Sequence, residues 1–348
     1  MKTQKKLMAA LLALHLLTFS PALAGDEARL GTTGAEQLLI PVGAKGIATS
    51  GAFISTLTGV EAIYWNPAGL DRSGKSEAIV SYMNYIADIN LTYVALSANL
   101  RGLGSVAFSL KTLDVGDILQ TSVENPEGLG ATFSPTFVTA GLTYSKMITD
   151  RISGGATVKL IHEGILDLSA NGFAIAFGTQ YHFANNLTIG VALKNIGSNM
   201  KYGGGNLEQR TPVTGSDPTS APSFFEAVTE KFGIPSTFEL GVAYKYAMGA
   251  NNALNLGGTF LNANEAENAL RFGAEYSFND MLFLRGGYDL VTEQSDLRSD
   301  ESIFGFTLGG GLKHRIGGVE VELDYAYRDV EVFDGNHVFA VKFGLGGN

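Results

Sequence analysis

From residue 236 to residue 345 apolar and polar residues alternate with a period of two, in successive stretches of about ten residues. A β-strand sends successive side chains to opposite faces, so each such stretch folds as a strand with one greasy and one hydrophilic side. Over 237–246, Phe238, Leu240, Val242, Tyr244 and Tyr246 share one face, and Thr237, Glu239, Gly241, Ala243 and Lys245 share the other. Residues 270–278 oppose Leu270, Phe272, Ala274, Tyr276 and Phe278 to Arg271, Gly273, Glu275 and Ser277. Residues 319–328 oppose Val319, Val321, Leu323, Tyr325 and Tyr327 to Glu320, Glu322, Asp324 and Arg328. Alternation alone also suits a soluble sandwich. Uniform strand length, aromatic residues at strand ends, small residues on the polar face and an export leader together point to a transmembrane β-barrel.

The leader is read from Lys2, Lys5 and Lys6, the apolar run 7–19, and Ala22-Leu23-Ala24 ahead of Gly25. This is the pattern of a secretory signal peptide, residues 1–24, cleaved near Ala24. A spanning helix needs roughly 20 apolar residues, and no stretch of the chain reaches that, so membrane insertion falls to strands. Loss of the three leader lysines takes the net charge from −10 to −13, which disfavours nucleic acid as a partner. The absence of cysteine excludes a disulfide framework, a lipid-anchor cysteine and a thiolate metal site. The expected location is the bacterial outer membrane, with membrane lipid as the surrounding partner and no cofactor.

Fourteen strands are read, near 77–85, 90–100, 104–112, 134–147, 151–163, 169–183, 187–196, 236–247, 252–262, 268–278, 281–291, 303–315, 318–328 and 337–346. An even number closes an antiparallel barrel with both ends of the wall on one side. Connections leaving even-numbered strands, such as Asn279-Asp280 and Ala184-Asn185-Asn186, are tight and carry turn residues. Those leaving odd-numbered strands include the long stretches 113–133, 197–235 and 291–302. Bacterial barrels keep short turns in the periplasm and long loops outside, so both termini are expected in the periplasm. In the longest loop, 198–235, Ser223 is positioned to cap a short helix whose Phe224, Phe225, Val228 and Phe232 share a face. That face is expected to serve as a lid or a partner-docking surface.

Residues 25–76 do not alternate and precede the barrel (77–348), whose polar lumen has room for them. They are expected to form a hatch or plug, making the fold all-β, a 14-stranded antiparallel transmembrane β-barrel with an N-terminal plug. Within them stand Gly34-Ala35-Glu36-Gln37-Leu38-Leu39-Ile40 and Ala62-Ile63-Tyr64-Trp65-Asn66-Pro67-Ala68-Gly69-Leu70. With Asn186-Leu187-Thr188-Ile189-Gly190, Leu193-Lys194-Asn195-Ile196-Gly197 and Phe333-Asp334-Gly335-Asn336-His337, these make the chain resemble the PorV/PorQ family of outer-membrane proteins, a branch of the FadL-like barrels. The resemblance extends over nearly the whole chain beyond the leader, and its strongest motif is Asn66-Pro67-Ala68, which in FadL-like transporters marks the hatch. A PorV-like role implies a component of protein export and surface attachment, as in type IX secretion, with secreted cargo or secretion-machinery subunits as partners. A FadL-like role, the alternative, implies uptake of long-chain fatty acids or other hydrophobic small molecules through a gate at Asn66, Pro67 and Ala68.

The polar face carries charges of both signs, with Arg271, Glu275 and Arg285 at its centre. Ion pairs that brace the lumen and its plug are favoured over a selective pore, and Arg271 and Arg285 are expected to bind Asp26, Glu27 or Glu36 of the hatch. No catalytic or metal site is expected. His162 and Glu163 are neighbours on a strand and so face opposite ways, and no nucleophile elbow accompanies them. Asp296, Asp300 and Glu301 lack the spacing of a calcium loop. Gly309-Gly310-Gly311 has no following Lys-Ser/Thr, so it reads as a site of close approach or bending rather than a phosphate cradle.

Overall fold

A computed structural model of the chain describes residues 33–128, 130–211, 223–249, 251–264, 268–291 and 303–346. Fourteen strands form its wall: β1 (Ser76–Asn84), β2 (Asn90–Asn99), β3 (Ser105–Asp114), β4 (Thr136–Met147), β5 (Ile152–Ile165), β6 (Leu168–His182), β7 (Leu187–Gly197), β8 (Thr237–Ala247), β9 (Asn252–Ala263), β10 (Ala269–Phe278), β11 (Leu282–Val291), β12 (Phe304–Ile316), β13 (Val319–Val330) and β14 (Asn336–Leu345). Each pairs antiparallel with its sequence neighbours. The sheet closes where β1 pairs with β14, from Ser76 against Leu345 to Asn84 against His337. Closure removes the sheet edges, as a lipid environment demands of any strand-built span.

Every strand lies within two residues of its expected bounds. The period of two is why: Phe238, Leu240 and Val242 on β8 point out and are exposed, while Thr237, Glu239 and Ala243 point in and are buried. The same outward exposure of large apolar side chains recurs around the wall, at Leu96, Phe108, Leu160, Phe177, Phe272, Leu284 and Phe339 among others. A continuous apolar belt of this kind belongs against lipid, not water. Short hairpins follow the turn chemistry of their residues. Asn279 and Asp280 both adopt positive φ, as do Gly317 and Gly318, matching the twist of the strands they join.

Two irregularities reshape the wall. Between Ile175 and Phe177 of β6, the single residue Ala176 opposes Lys194 and Asn195 of β7. This is a β-bulge with Asn195 in the left-handed region at φ 59°, and it turns both side chains inward, where both are buried. On β12, Gly305 and Phe306 oppose Asp329 of β13. At the same level pairing with β11 stops: only Leu282 to Gly287 of β11 pair with Thr307 to Leu312 of β12.

The described part of the N-terminal segment, residues 33–75, carries two short helices, α1 (Ala44–Ala48) and α2 (Ala62–Trp65), and several 3₁₀ turns. It runs along the inward-facing side chains of the wall and is mostly buried. Its first described residues lie at the long-loop end, where Gly34 N–H donates to the Gly233 carbonyl at 3.1 Å. Ser76 and Leu345, the ends of the wall, lie together at the other. The described segment therefore begins at the long-loop end, and the wall begins and ends at the short-turn end. Residues 1–32, including the signal peptide, Asp26 and Glu27, lie outside the described residues, as do Asp296, Asp300 and Glu301.

In the long loop, Ser223–Glu226 is a strand rather than a helix, paired with Glu208–Thr211. Antiparallel pairing satisfies backbone groups of both stretches, which a short isolated helix would leave to solvent at its ends. Phe224 and Phe225 consequently face opposite ways. Phe232 is not on their face at all: its ring lies 5.5 Å from that of Tyr202 and covers Gly34 of the inner segment.

Candidate functional site

The hatch motif is a compact turn. Asn66 caps the 3₁₀ turn Pro67–Gly69, its Oδ1 accepting from Ala68 N–H at 3.1 Å, with proline at the first position where no N–H is missed. Its Nδ2 reaches the wall, donating to the carbonyls of Thr179 on β6 at 3.1 Å and Val191 on β7 at 3.3 Å. Ala68 is equally buried, and its carbonyl accepts from Ser145 Oγ of β4. The three hatch residues named from sequence thus sit together at the wall.

Eight consecutive strands, β5 to β12, each offer one inward glycine against which the segment lies. Gly155 meets Pro67, Gly178 meets Asn66, Gly190 meets Ser55 and Gly241 meets Ile54. Gly257 meets Phe53, Gly273 meets Thr49 and Ala52, Gly287 meets Thr49 and Ser50, and Gly309 meets Ala48. A Cβ at any of these positions would overlap the segment. The register makes this a girdle, because Gly155 faces Gly178, Gly190 faces Gly241, and Gly257, Gly273 and Gly287 follow in line. Hydrogen bonds reinforce it. Gln180 Nε2 donates to the Ile54 and Leu57 carbonyls at 3.1 and 3.0 Å, Thr259 Oγ1 to Ala52 O at 3.1 Å and Thr307 Oγ1 to Ala48 O at 3.0 Å.

The charges follow from register. Glu275 and Arg285 are direct partners across β10 and β11, with Nε to Oε2 2.7 Å, and Arg285 also binds Asp324 and, at 3.7 Å, Glu322 of β13. Lys342 of β14 faces Glu322 at 2.5 Å. Closer to the long-loop end, Lys194 binds Glu239 at 2.5 Å, Glu239 lies 3.8 Å from Arg271, and Arg271 binds its cross-strand partner Asp289 at 3.3 Å. Arg271 and Arg285 are therefore occupied by wall carboxylates rather than by Glu36, whose Oε1 accepts from Thr33. The segment answers with a cation instead, Lys45 lying 3.7 Å from Glu275. Within the segment, burial pushes the Glu61 carboxyl up to about 7, with nearby Asp324 acting the same way, against Lys342, the Gly46 N–H and Lys45.

Two cavities flank the segment. The outer one, about 770 Å³, is lined by Leu38, Leu39, Ile40, Leu113, Phe137 and Phe304, by Tyr64 and Trp65 of the segment, and by the Lys194–Glu239–Arg271–Asp289 ladder. Two of its cations make no ion pair among the described residues: Lys159 Nζ donates to Asn195 Oδ1 at 2.7 Å, and the Arg328 guanidinium stacks 3.4 Å from the Phe304 ring centre. Asp289, Val291, Ile303 and Phe304 also line it, so the incompletely paired stretch of wall between β11 and β12 is one of its sides. The inner cavity, about 570 Å³, is polar, with Lys45, Glu77, Glu275, Glu322 and Lys342 in its lining.

Some of this was not legible in the alternation. Asn195 follows inward Lys194, so strict alternation would send it outward; the bulge brings it inward. Lys111, at the outer end of β3, donates to the Gln37 and Ile40 carbonyls at 2.5 Å each, a role no motif signals. The inward faces of β1, β2 and β14 also carry large apolar side chains in their upper parts, Ile79, Met83, Leu91, Tyr93 and Val338, where a lining of polar and small residues is expected. As expected, His162 and Glu163 diverge: His162 is exposed beside Asn171, and Glu163 is buried and accepts from Tyr202 at 2.6 Å. Gly309 is a close-approach glycine, against Ala48.

No protein-family model and no curated protein matches the chain. Solved structures match its fold over almost its whole length. The Pseudomonas putida toluene transporter TodX is 14% identical, covering 88% of this chain and 99% of that one, with a TM-score of 0.56. The CymD monoaromatic hydrocarbon channel is 10% identical over 89% and 98%, with a TM-score of 0.53. The Ralstonia pickettii toluene transporter TbuX is 12% identical over 88% and 99%, with a TM-score of 0.51. At such identities the shared property is the closed 14-stranded barrel.

Proposed function

We propose that this protein is a non-enzymatic outer-membrane channel for hydrophobic small molecules, with the N-terminal segment as its plug and Asn66-Pro67-Ala68 in the gate region. The observation that carries the reading is the outer cavity. A largely apolar chamber between barrel wall and segment, with charged groups on one side, suits a molecule that leaves water on binding. Lys159 and Arg328 stand where the polar end of an amphiphile such as a long-chain carboxylate would be met. The toluene transporters and hydrocarbon channel with the same fold favour this class of cargo over secreted protein. A role in type IX-like export rested on the family resemblance, and neither the cavity nor the solved structures add support to it.

The test is uptake of radiolabelled toluene and of a radiolabelled long-chain fatty acid by cells with and without the protein. Protein-dependent uptake of either supports the channel. Uptake of neither, together with a changed set of surface-attached proteins on deletion, would return the export reading to first place.

A further inference from the structure

We infer that hydrophobic molecules pass the plug along one side only, between the segment and the wall formed by β13, β14, β1, β2 and β3, while the plug stays fixed to β4–β12. The inference rests on the channel reading and adds the route.

The two sides of the plug are held by different forces. On the β4–β12 side the glycine girdle of β5–β12 brings the segment directly against strand backbone, and Asn66, Gln180, Thr259 and Thr307 hydrogen-bond across the contact. A molecule entering there would have to break directional bonds it cannot replace, leaving buried donors and acceptors unpaired. On the other side the wall presents Ile79, Met83, Leu91, Tyr93, Ala326 and Val338 to Val42, Val60 and Ile63 of the segment, all buried in one apolar cluster. Such contacts are non-directional, and the surface of an apolar guest substitutes for either partner.

The apolar seam also joins the two cavities. Ile40, Ile47, Tyr85 and Leu113, at its outer end, line the outer chamber, and Glu77 and Lys342, at its inner end, line the polar one. Polar latches bound it: Lys111 on the Gln37 and Ile40 carbonyls above, and below it Glu77 on the Val60 N–H, at 2.7 Å, and Asp71 accepting from Ser105 Oγ of β3 at 2.6 Å and from Asn99 Nδ2 of β2 at 3.2 Å. At its head Asn336, on the same face of β14 as Val338, is fully buried, with neither end of its amide hydrogen-bonded among the described residues. An unpaired buried amide at that position is a ready partner for a polar group on a passing molecule.

The chain has no cysteine, so engineered disulfides report cleanly. Ser55→Cys with Thr188→Cys, and Ser50→Cys with Thr307→Cys, join hydroxyl pairs 3.3 and 3.0 Å apart and lock the girdle side. Ala340→Leu and Ala95→Leu each narrow the seam, with heat-modifiable migration in detergent as the check on folding. A diazirine-bearing long-chain alkane, photolysed with the unmodified protein and mapped by mass spectrometry, reads the route without any substitution. The expected result is uptake retained by both oxidised locks and lost in the folded seam variants, with label on Met83, Leu91 or Ile63. Loss of uptake in the oxidised locks and its return on reduction, or label confined to 48–55 and β7–β9, would overturn the route while leaving the channel standing. Absence of uptake and of label in the unmodified protein would remove the channel reading itself.

Discussion

Asn66 Nδ2 donates to the main-chain carbonyls of Thr179 and Val191, which are direct partners across β6 and β7. One side chain thus ties the plug to two strands of the wall while its Oδ1 caps the turn that carries Pro67 and Ala68. The Asn66-Pro67-Ala68 turn is an anchor of the segment, and it stands on the girdle side.

Replacing Asn66 with alanine removes both wall bonds and the cap. Each buried bond lost with its partner left unpaired costs about 1–3 kcal/mol, so Asn66→Ala is expected to lower the unfolding free energy in detergent by about that amount or more. Gly178→Ala, whose Cβ would overlap Asn66 Oδ1, is expected to have the same effect from the wall side. Hydrogen exchange over residues 44–70 checks both: faster exchange in each variant with the strands still protected is the expected pattern.

Arg285 has a fully buried side chain shared among Glu275, Asp324 and Glu322. Arg285→Met leaves buried carboxylates uncompensated, a loss of roughly 3–5 kcal/mol when one partner of a buried pair is removed. Adding Glu275→Gln and Asp324→Asn to that variant is expected to restore much of the loss. Urea unfolding of the single and triple variants decides the matter.

Glu61 binds the Gly46 N–H at 3.0 Å and so joins the turn before α2 to α1. Its carboxyl, raised by burial from 4.5 to about 7, keeps its proton in the folded protein over a range where the unfolded chain has lost it. Its contribution is therefore greatest below pH 4.5 and declines as the pH rises to about 7. By the usual conversion the span is on the order of 3 kcal/mol. Unfolding measured from pH 4.5 to 7.5 should fall along this course in the parent and lose that component in Glu61→Gln; an unchanged profile in the variant would count against Glu61 as its source.

Lys159→Met and Arg328→Gln remove the two outer-chamber cations that have no ion-pair partner among the described residues. Uptake of a long-chain fatty acid is expected to drop by about 10-fold or more in either variant, since loss of a charged hydrogen bond worth about 1.5–3 kcal/mol brings roughly 10–150-fold, while toluene uptake holds. Equal loss of both would show that the cations support the chamber rather than meet cargo.

The strands were legible because period-two alternation is a local property enforced by lipid on one side, so each of the fourteen can be read without its neighbours. The N-terminal segment was legible as a stretch without alternation, and Arg271, Glu275 and Arg285 were legible as inward charges. Their partners were not. Arg271 meets Asp289, and Glu275 meets Arg285, only because hairpin register sets them opposite each other. The loop residues Phe224, Phe225 and Phe232 fit a helical face by spacing alone, and strand pairing with Glu208–Thr211 dissolved that face.

By itself, then, the sequence determined the number, bounds and sidedness of the strands, the existence of a separate N-terminal segment and the charged character of much of the lumen. Only the tertiary structure decided how that segment is held. The glycines from Gly155 to Gly309 are scattered over some 150 residues of chain and become a girdle through barrel closure and register. The bulge at Lys194 and Asn195 reversed a side chain that alternation sends outward, because one extra residue on one strand shifts the pleat. The division of the segment's surroundings into a glycine girdle and an apolar seam depends on contacts between residues distant in sequence, which no local pattern encodes.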